Sequence, residues 1–250
     1  MARLVLALVF VAGVFFSQTF AEDAEELVGA RDARPGQFPY AVSLRMWNQH
    51  VCGGAIIDQY HILTAAHCVA AMKQNLNVVT VVSGSTNLQQ GGTPHKVVGM
   101  WAHPNYDGKN KVNNDIGVIK LASPINYNNF QKSVPLASAR PPAHSTATVS
   151  AWGKVSVNGG VSNTLQYLNL KIIDLNQCRK YHELEINNSA ICTFNGVGTG
   201  LCNGDSGSPL VYNGKVVGVV SRGIPCAVGA PDVFTSVADT LSFINSALKY

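Results

Sequence analysis

No Cys-x-x-Cys pair occurs in the 250-residue sequence, which argues against a structural zinc site. No run of five or more basic residues occurs either, so the formal charge of +4 is scattered. That pattern does not make a nucleic-acid footprint. Only Leu4 to Phe16 forms a long apolar run, and it is shorter than the roughly 20 residues a membrane helix needs. Internal repeats and low-complexity tracts are lacking. Acids are few, 14 Asp and Glu against 18 Lys and Arg, and Glu22, Asp23, Glu25 and Glu26 crowd into one short stretch. An acid beside an apolar segment elsewhere in the chain is therefore a candidate for a specific task.

What is present begins with a leader. Arg3 precedes the apolar run, and Thr19-Phe20-Ala21 closes it with small residues where a signal peptidase cuts. Residues 1–21 are expected to be a signal peptide and the product to be secreted. In that oxidising setting the six cysteines, Cys52, Cys68, Cys178, Cys192, Cys202 and Cys226, read as disulfides. Spacing alone does not choose their pairing.

Most other segments are short, rich in Val, Ile, Leu, Thr and Tyr, and broken by Gly, Pro, Asn or Ser. Tyr40 to Trp47, Gly54 to Ile57, Val78 to Ser83, Lys96 to Trp101, Ile116 to Leu121, Thr146 to Trp152, Gln166 to Ile173, Pro209 to Tyr212 and Lys215 to Ser221 read as strands. That spacing predicts an all-β sandwich or barrel. Asn213-Gly214 is a two-residue hairpin signal. Asp174 to Tyr181 suggests a short helix. Val237, Leu241, Ile244 and Leu248 share one face of a C-terminal helix. Residues 123–135, rich in Pro, Asn and Gln, read as a linker between two halves.

Three segments carry potential chemistry. In Thr64-Ala65-Ala66-His67-Cys68, a histidine that a neighbouring disulfide would fix in place can serve as a general base. In Asn113-Asn114-Asp115-Ile116, an acid opens an apolar strand, where burial without a partner is costly. In Cys202-Asn203-Gly204-Asp205-Ser206-Gly207-Ser208-Pro209, glycines let the chain turn tightly and expose Ser206, leaving backbone N–H groups for an oxyanion. Taken singly, these segments also fit a packed histidine, a turn acid and a plain Gly/Ser turn.

Taken together they resemble the chymotrypsin-like (trypsin-fold) serine proteases. The family segments Ala-Ala-His-Cys, Asp-Ile-Ala-Leu and Gly-Asp-Ser-Gly-Gly-Pro are matched in the same order with single changes at Gly117, Val118 and Ser208. The resemblance covers residues 27–250. It implies an all-β fold of two packed antiparallel β-barrels with a C-terminal helix and a catalytic cleft between the barrels. It also implies a serine endopeptidase with His67, Asp115 and Ser206 as the triad and Gly204 and Ser206 as the oxyanion hole. The implied disulfides are Cys52–Cys68, Cys178–Cys192 and Cys202–Cys226. No cofactor is expected, and the lack of acids between Asp58 and Asp107 removes the calcium loop known from trypsins.

In the same frame the specificity pocket draws on Gly200, Leu201, Ser221, Arg222, Gly223 and Asp232. Trypsins carry an acid where Gly200 stands, so the pocket is expected to favour large apolar side chains. Glycine there with an acid at Asp232 resembles the brachyurins, arthropod collagenolytic proteases of broad specificity, and suggests that Arg or Lys is accepted too. Arg222 replaces the family's usual aromatic, removing an apolar shelf and giving a preference for acidic substrate residues or simply a surface cation.

Activation follows from the stretch Leu27-Val28-Gly29-Ala30, which resembles the family's Ile-Val-Gly-Gly start. A new N-terminus at Leu27 would pair its ammonium with Asp205, leaving residues 22–26 as a short acidic propeptide. Arg31 and Arg34 look like processing sites, but cuts there leave Asp32 or Pro35 first, which do not resemble that start. Asn187-Asn188-Ser189 is a glycosylation sequon. Expected partners are protein or peptide substrates and protein protease inhibitors, with no nucleic acid or membrane, and the chain is expected to be a monomer. The competing reading is a catalytically inactive secreted binding protein of the same fold.

Overall fold

The computed structural model describes residues 29–108, 113–154, 158–183, 185–224 and 226–250. The leader, the propeptide and Leu27 lie outside these residues. β1 (Arg31–Asp32) is a short exposed strand. The first barrel follows: β2 (Ala41–Met46), β3 (Gln49–Ile56), β4 (His61–Thr64), β5 (Val79–Ser83), β6 (Thr93–Ala102) and β7 (Gly117–Leu121). All its pairs are antiparallel, and it closes in the order β2-β3-β4-β7-β6-β5. The helix α1 (Ala66–Met72) leaves the end of β4.

The second barrel comprises β8 (Thr146–Ala151), β9 (Gln166–Ile173), β10 (Ala190–Thr193), β11 (Pro209–Tyr212), β12 (Lys215–Arg222) and β13 (Asp232–Ser236). Its order is β9-β10-β13-β12-β11-β8, closed by the β8–β9 pair, with β1 added at the edge of β9. Closure leaves no row of unpaired backbone groups along either barrel. Among the described residues there are also a 3-10 helix (Lys73–Val78) after α1 and two further α-helices, α2 (Leu175–Arg179) and α3 (Val237–Ala247).

Several strands are buried on consecutive positions, because barrel strands are covered on the outside as well as packed within. Leu44, Ile56, Ile62, Leu63, Val81, Val118 and Ile119 fill the first barrel. Val149, Leu168, Leu170, Leu210 and Phe234 fill the second. Each such buried side chain contributes about 1.5–3 kcal/mol of transfer free energy before entropy is charged. The segment 123–135 runs between β7 and β8 without helix or strand, and buries Ile125 and Gln131.

α3 starts where Ser236 accepts a hydrogen bond from the Asp239 N–H and places Asp239 in the first turn, both favourable at a helix N-terminus. Its Val237, Ile244 and Ala247 belong to the first barrel's core cluster. Beyond it, Tyr250 stacks on Trp101 at 5.4 Å, and Lys120 Nζ donates to the Tyr250 carbonyl oxygen.

The structure differs from the sequence reading in several elements. β4, α1 and β10 are not among the elements read from the sequence, whereas β13 overlaps the stretch around Pro231 to Phe234 that the resemblance makes a strand in the pocket wall. β3 begins at Gln49 and β6 at Thr93, several residues before the expected starts. Arg31 and Arg34 are exposed, and Arg31 pairs with Tyr167 across β1 and β9. At the sequon, Asn187 Oδ1 accepts from the N–H and Oγ of Ser189.

Candidate active site

His67 sits in the first turn of α1, and Asp115 lies two residues before β7. Both belong to the first barrel. The Asp115 carboxylate is 2% exposed. It accepts the His67 backbone N–H and the His67 Nδ1–H, each at 2.8 Å, and the Ser221 hydroxyl at 2.7 Å. Three donors around one buried carboxylate satisfy its charge. With Nδ1 donating to the carboxylate, Nε2 of the neutral ring carries the lone pair, the tautomer a general base requires. That nitrogen lies 3.5 Å from Cys68 Sγ. Among the described residues no hydrogen bond joins it to Ser206, and such bonds are often loose without substrate.

Ser206 comes from the second barrel, on the turn leading into β11. Gly204 has φ +99° and Gly207 φ +79°, a region where a side chain is strained. The peptide planes of this turn are held from behind. The Asn203 carbonyl accepts from the Lys154 N–H at 2.7 Å, and the Asp205 carbonyl accepts from the Ser208 N–H at 3.0 Å. The N–H groups opposite those two carbonyls are those of Gly204 and Ser206. Neither has a hydrogen-bond partner among the described residues, whereas the N–H groups of Asp205, Gly207 and Ser208 all do. Two fixed, unengaged donors flank the serine.

Three hydrogen bonds stitch the barrels together at this point. The Gly53 N–H donates to the Ser206 carbonyl at 2.8 Å. Ser221 of β12 reaches Asp115. His50 of β3 donates its Nε2–H to the Gly204 carbonyl at 3.1 Å, while its Nδ1 meets the Ser43 hydroxyl at 2.9 Å. Burial pulls the His50 pKa down to about 4, with the Gly204 bond opposing and Arg45 adding to the effect. His50 is therefore a neutral strut near neutral pH. Sequence reasoning missed it because a histidine inside a strand, two residues before a cysteine, carries no local signal of its distant partner.

The cysteines pair as Cys52–Cys68, Cys178–Cys192 and Cys202–Cys226. Cys52, Cys68 and His67 lie close enough together to suggest a metal site. Both sulfurs are committed to the disulfide, so no thiolate is available there.

A cavity of about 200 Å³ opens beside Ser206, lined by Leu201, Cys202, Asn203, Val220, Ser221, Arg222 and Gly223. Gly200 and Asp232 are not on its wall. Asp232 is 4% exposed and accepts the Leu201 N–H with both oxygens at 3.2 Å. Its oxygens would lie 2.9 and 3.2 Å from a Cβ placed on Gly200 and Gly223. The acid thus stands behind Leu201, in space that these two glycines leave open. Burial pushes the Asp232 carboxyl up to about 7, partly opposed by the Leu201 N–H.

Asp205 is fully buried and accepts the N–H groups of Cys202 and Gly153, each at 2.8 Å. Burial raises its pKa to about 7 against these two bonds, and nearby Asp232 adds to the rise. No cation pairs with it among the described residues. The chain at Ala30 is buried, and a Cβ on Gly29 would lie 2.8 Å from Thr199 Oγ1. The N-terminal segment therefore enters the molecule close to the segment that ends at Asp205.

One barrel supplies a carboxylate-bound histidine and the other a glycine-flanked serine, an arrangement that defines the chymotrypsin-like class of serine proteases. Comparison with known proteins agrees. The family model described as Trypsin matches residues 27–244. The chain is 40% identical to Chymotrypsin-2 of Vespa crabro, over 88% of this chain and 98% of that protein. It is 36% identical to Trypsin alpha-4 of Lucilia cuprina, over 88% and 87% respectively. The solved structure of mouse neuropsin, a serine protease expressed in the limbic system of the brain, superposes with TM-score 0.81 at 29% identity, covering 88% and 98%. The chain belongs to the trypsin family. It is accordingly a serine endopeptidase, and its substrates are proteins or peptides.

Proposed function

We propose that this protein is a secreted endopeptidase, made as a zymogen, that cleaves by an acyl-enzyme mechanism centred on Ser206. The observation that carries the reading is the bond from His67 Nδ1 to Asp115, with two unengaged N–H groups flanking the serine. Ser206 Oγ attacks the scissile carbonyl while His67 Nε2 takes its proton. Asp115 holds the ring and stabilises its imidazolium form. The N–H groups of Gly204 and Ser206 receive the oxyanion. Collapse breaks the C–N bond, and His67 returns the proton to the departing amine. Water then repeats the sequence on the acyl-enzyme, with His67 again as base, and releases the acid. Substrate binding and maturation bring His67 Nε2 into line with Ser206.

An organophosphonate tests this directly: the matured protein is expected to be labelled once, on Ser206. An unlabelled but folded protein would instead be a protease-fold binding protein, and the enzymatic reading would fall.

Maturation is proposed to cut after Glu26, so that the Leu27 ammonium neutralises Asp205. A fully buried carboxylate with a raised pKa is the partner such a cation needs. Intact-mass and N-terminal analysis of the active secreted protein is expected to give Leu27 first. A start at Asp32 or Pro35 would overturn this account.

Primary specificity is proposed to be chymotrypsin-like, broadened by Asp232. Leu201 and Val220 give the cavity apolar walls, while Asp232 offers a carboxylate behind them. Secretion accords with the leader and the three disulfides. No helix of the described residues is long and apolar enough to cross a membrane. The protein is proposed to act as a monomer and to be open to protein protease inhibitors.

A further inference from the structure

A second cavity, of about 390 Å³, adjoins the one beside Ser206. Tyr181, His182, Glu183, Arg222, Gly223 and Ile224 line it. Arg222 and Gly223 line both cavities, so the two form neighbouring compartments along one face of β12 and the residues after it.

The Arg222 guanidinium is poorly satisfied. Its Nε is buried without a hydrogen-bond partner. Among the described residues its Nη2 reaches only the Glu185 carbonyl, at a long 3.4 Å. Burial lowers its pKa, and the charge of Asp115 acts in the opposite sense. Among the described residues no carboxylate forms an ion pair with it. Glu183 shares the cavity but is exposed, and among the described residues no hydrogen bond or ion pair joins it to the guanidinium. His182 does not compete as an anion site. Its Nε2–H donates to the Pro231 carbonyl at 3.0 Å, and burial lowers its pKa, leaving the ring neutral. Tyr181 and Ile224 are partly exposed and form apolar flanks. A partly desolvated cation without a counter-ion is unfavourable, and a planar guanidinium fits a carboxylate by paired N–H donors.

We propose that this cavity is an accessory substrate subsite that takes an aspartate or glutamate side chain, paired with Arg222, while a neighbouring substrate residue fills the pocket beside Ser206. Side chains on one face of an extended peptide lie about 7 Å apart, a spacing that suits adjoining compartments sharing a wall. The inference rests on the reading of Ser206 as the reacting group.

The test is a positional library with phenylalanine held at the residue before the cleaved bond. Asp and Glu are compared with Asn and Gln at each flanking position. At low salt, one position is expected to favour the acid by about 10- to 100-fold in kcat/KM. The preference should shrink as salt is raised. Arg222→Gln should remove it, and Arg222→Glu should turn it towards Lys or Arg. Each ratio is taken within one variant, so a change in overall activity does not enter. If a variant fails to fold, the preference and salt response of the unaltered enzyme still decide. A phosphonate-labelled enzyme with no acidic preference anywhere, or with one that survives Arg222→Gln, sinks the subsite alone. A protein that takes up no phosphonate removes the reading beneath it as well.

Discussion

Ser206→Ala is expected to lower kcat/KM by roughly four to six orders of magnitude while leaving the protein folded. In serine proteases of an unrelated fold, loss of the serine or the histidine alone costs about a millionfold, and further losses add little. The same non-additivity is expected here. His67→Ala should fall to about the same residual rate, and the double variant only slightly below it. The reason is geometric. Without Oγ there is nothing for Nε2 to deprotonate, and without Nε2 the hydroxyl stays a weak nucleophile. What survives comes from substrate binding and the N–H groups of Gly204 and Ser206, which alanine retains. Ser206 Oγ makes no hydrogen bond among the described residues, so truncation orphans no buried partner. Hydrolysis of a peptide anilide, beside a thermal melt of each matured variant, checks both halves. A melt within a few degrees and activity within tenfold would place the nucleophile elsewhere.

The second large effect concerns Asp232. Asp232→Asn is expected to cut cleavage after Arg and Lys by about 100-fold while changing cleavage after Phe or Leu little, as for loss of one charge-assisted pair. Asparagine keeps an acceptor for the Leu201 N–H, so the pocket wall should hold. The carboxyl is held up at about 7, so it is neutral below that pH and charged above it. The ratio of Arg to Phe cleavage should therefore rise with pH through about 7 and flatten in Asp232→Asn. Taking a ratio matters, because any pH effect common to both substrates cancels. Stability follows the same sign. A carboxyl with a raised folded pKa contributes stability that is fully present below about pH 4, the unfolded value, and is lost as pH rises through about 7. The asparagine variant should lose part of that slope. An Arg-to-Phe ratio that is flat with pH and unchanged by the substitution would confine Asp232 to supporting Leu201.

Where the fold was legible, a short-range signal carried it. Asn213 and Gly214 take φ +47° and +73°, the turn that Asn-Gly favours between strands. The turn between β2 and β3 has the same hand, at Trp47 (φ 47°) and Asn48 (φ 63°), but lacks glycine and gave no warning. β4, β10 and β13 are runs of four or five residues buried along almost their whole length. Such runs show no alternation to set strand apart from buried helix. α1 has no side-chain cap and is only seven residues long, so its start is not written locally. Taken singly the three motifs of the candidate site have ordinary structural readings; their order together and their match to the segments of the chymotrypsin-like proteases set them apart. The contacts between barrels, His50 to Gly204 and Ser221 to Asp115, join residues 154 and 106 positions apart. Only the fold brings them together.

Tyr250 and α3 also bear on the cleft, although they lie far from His67 in sequence. α3 grows out of the second barrel, and its apolar face joins a core cluster that holds Val216 and Val219 of β12 together with first-barrel residues, while Tyr250 stacks on Trp101 of the first. The two halves are thus strapped by α3 as well as through the segment 123–135. Each half alone holds an incomplete set of reacting groups, so proton transfer depends on their alignment to within a fraction of an ångström. α3 and the turn after it are in that sense a mechanical fixture of the cleft, and a substitution that unseats Tyr250 from Trp101 would press on the alignment of candidate catalytic groups that it never touches.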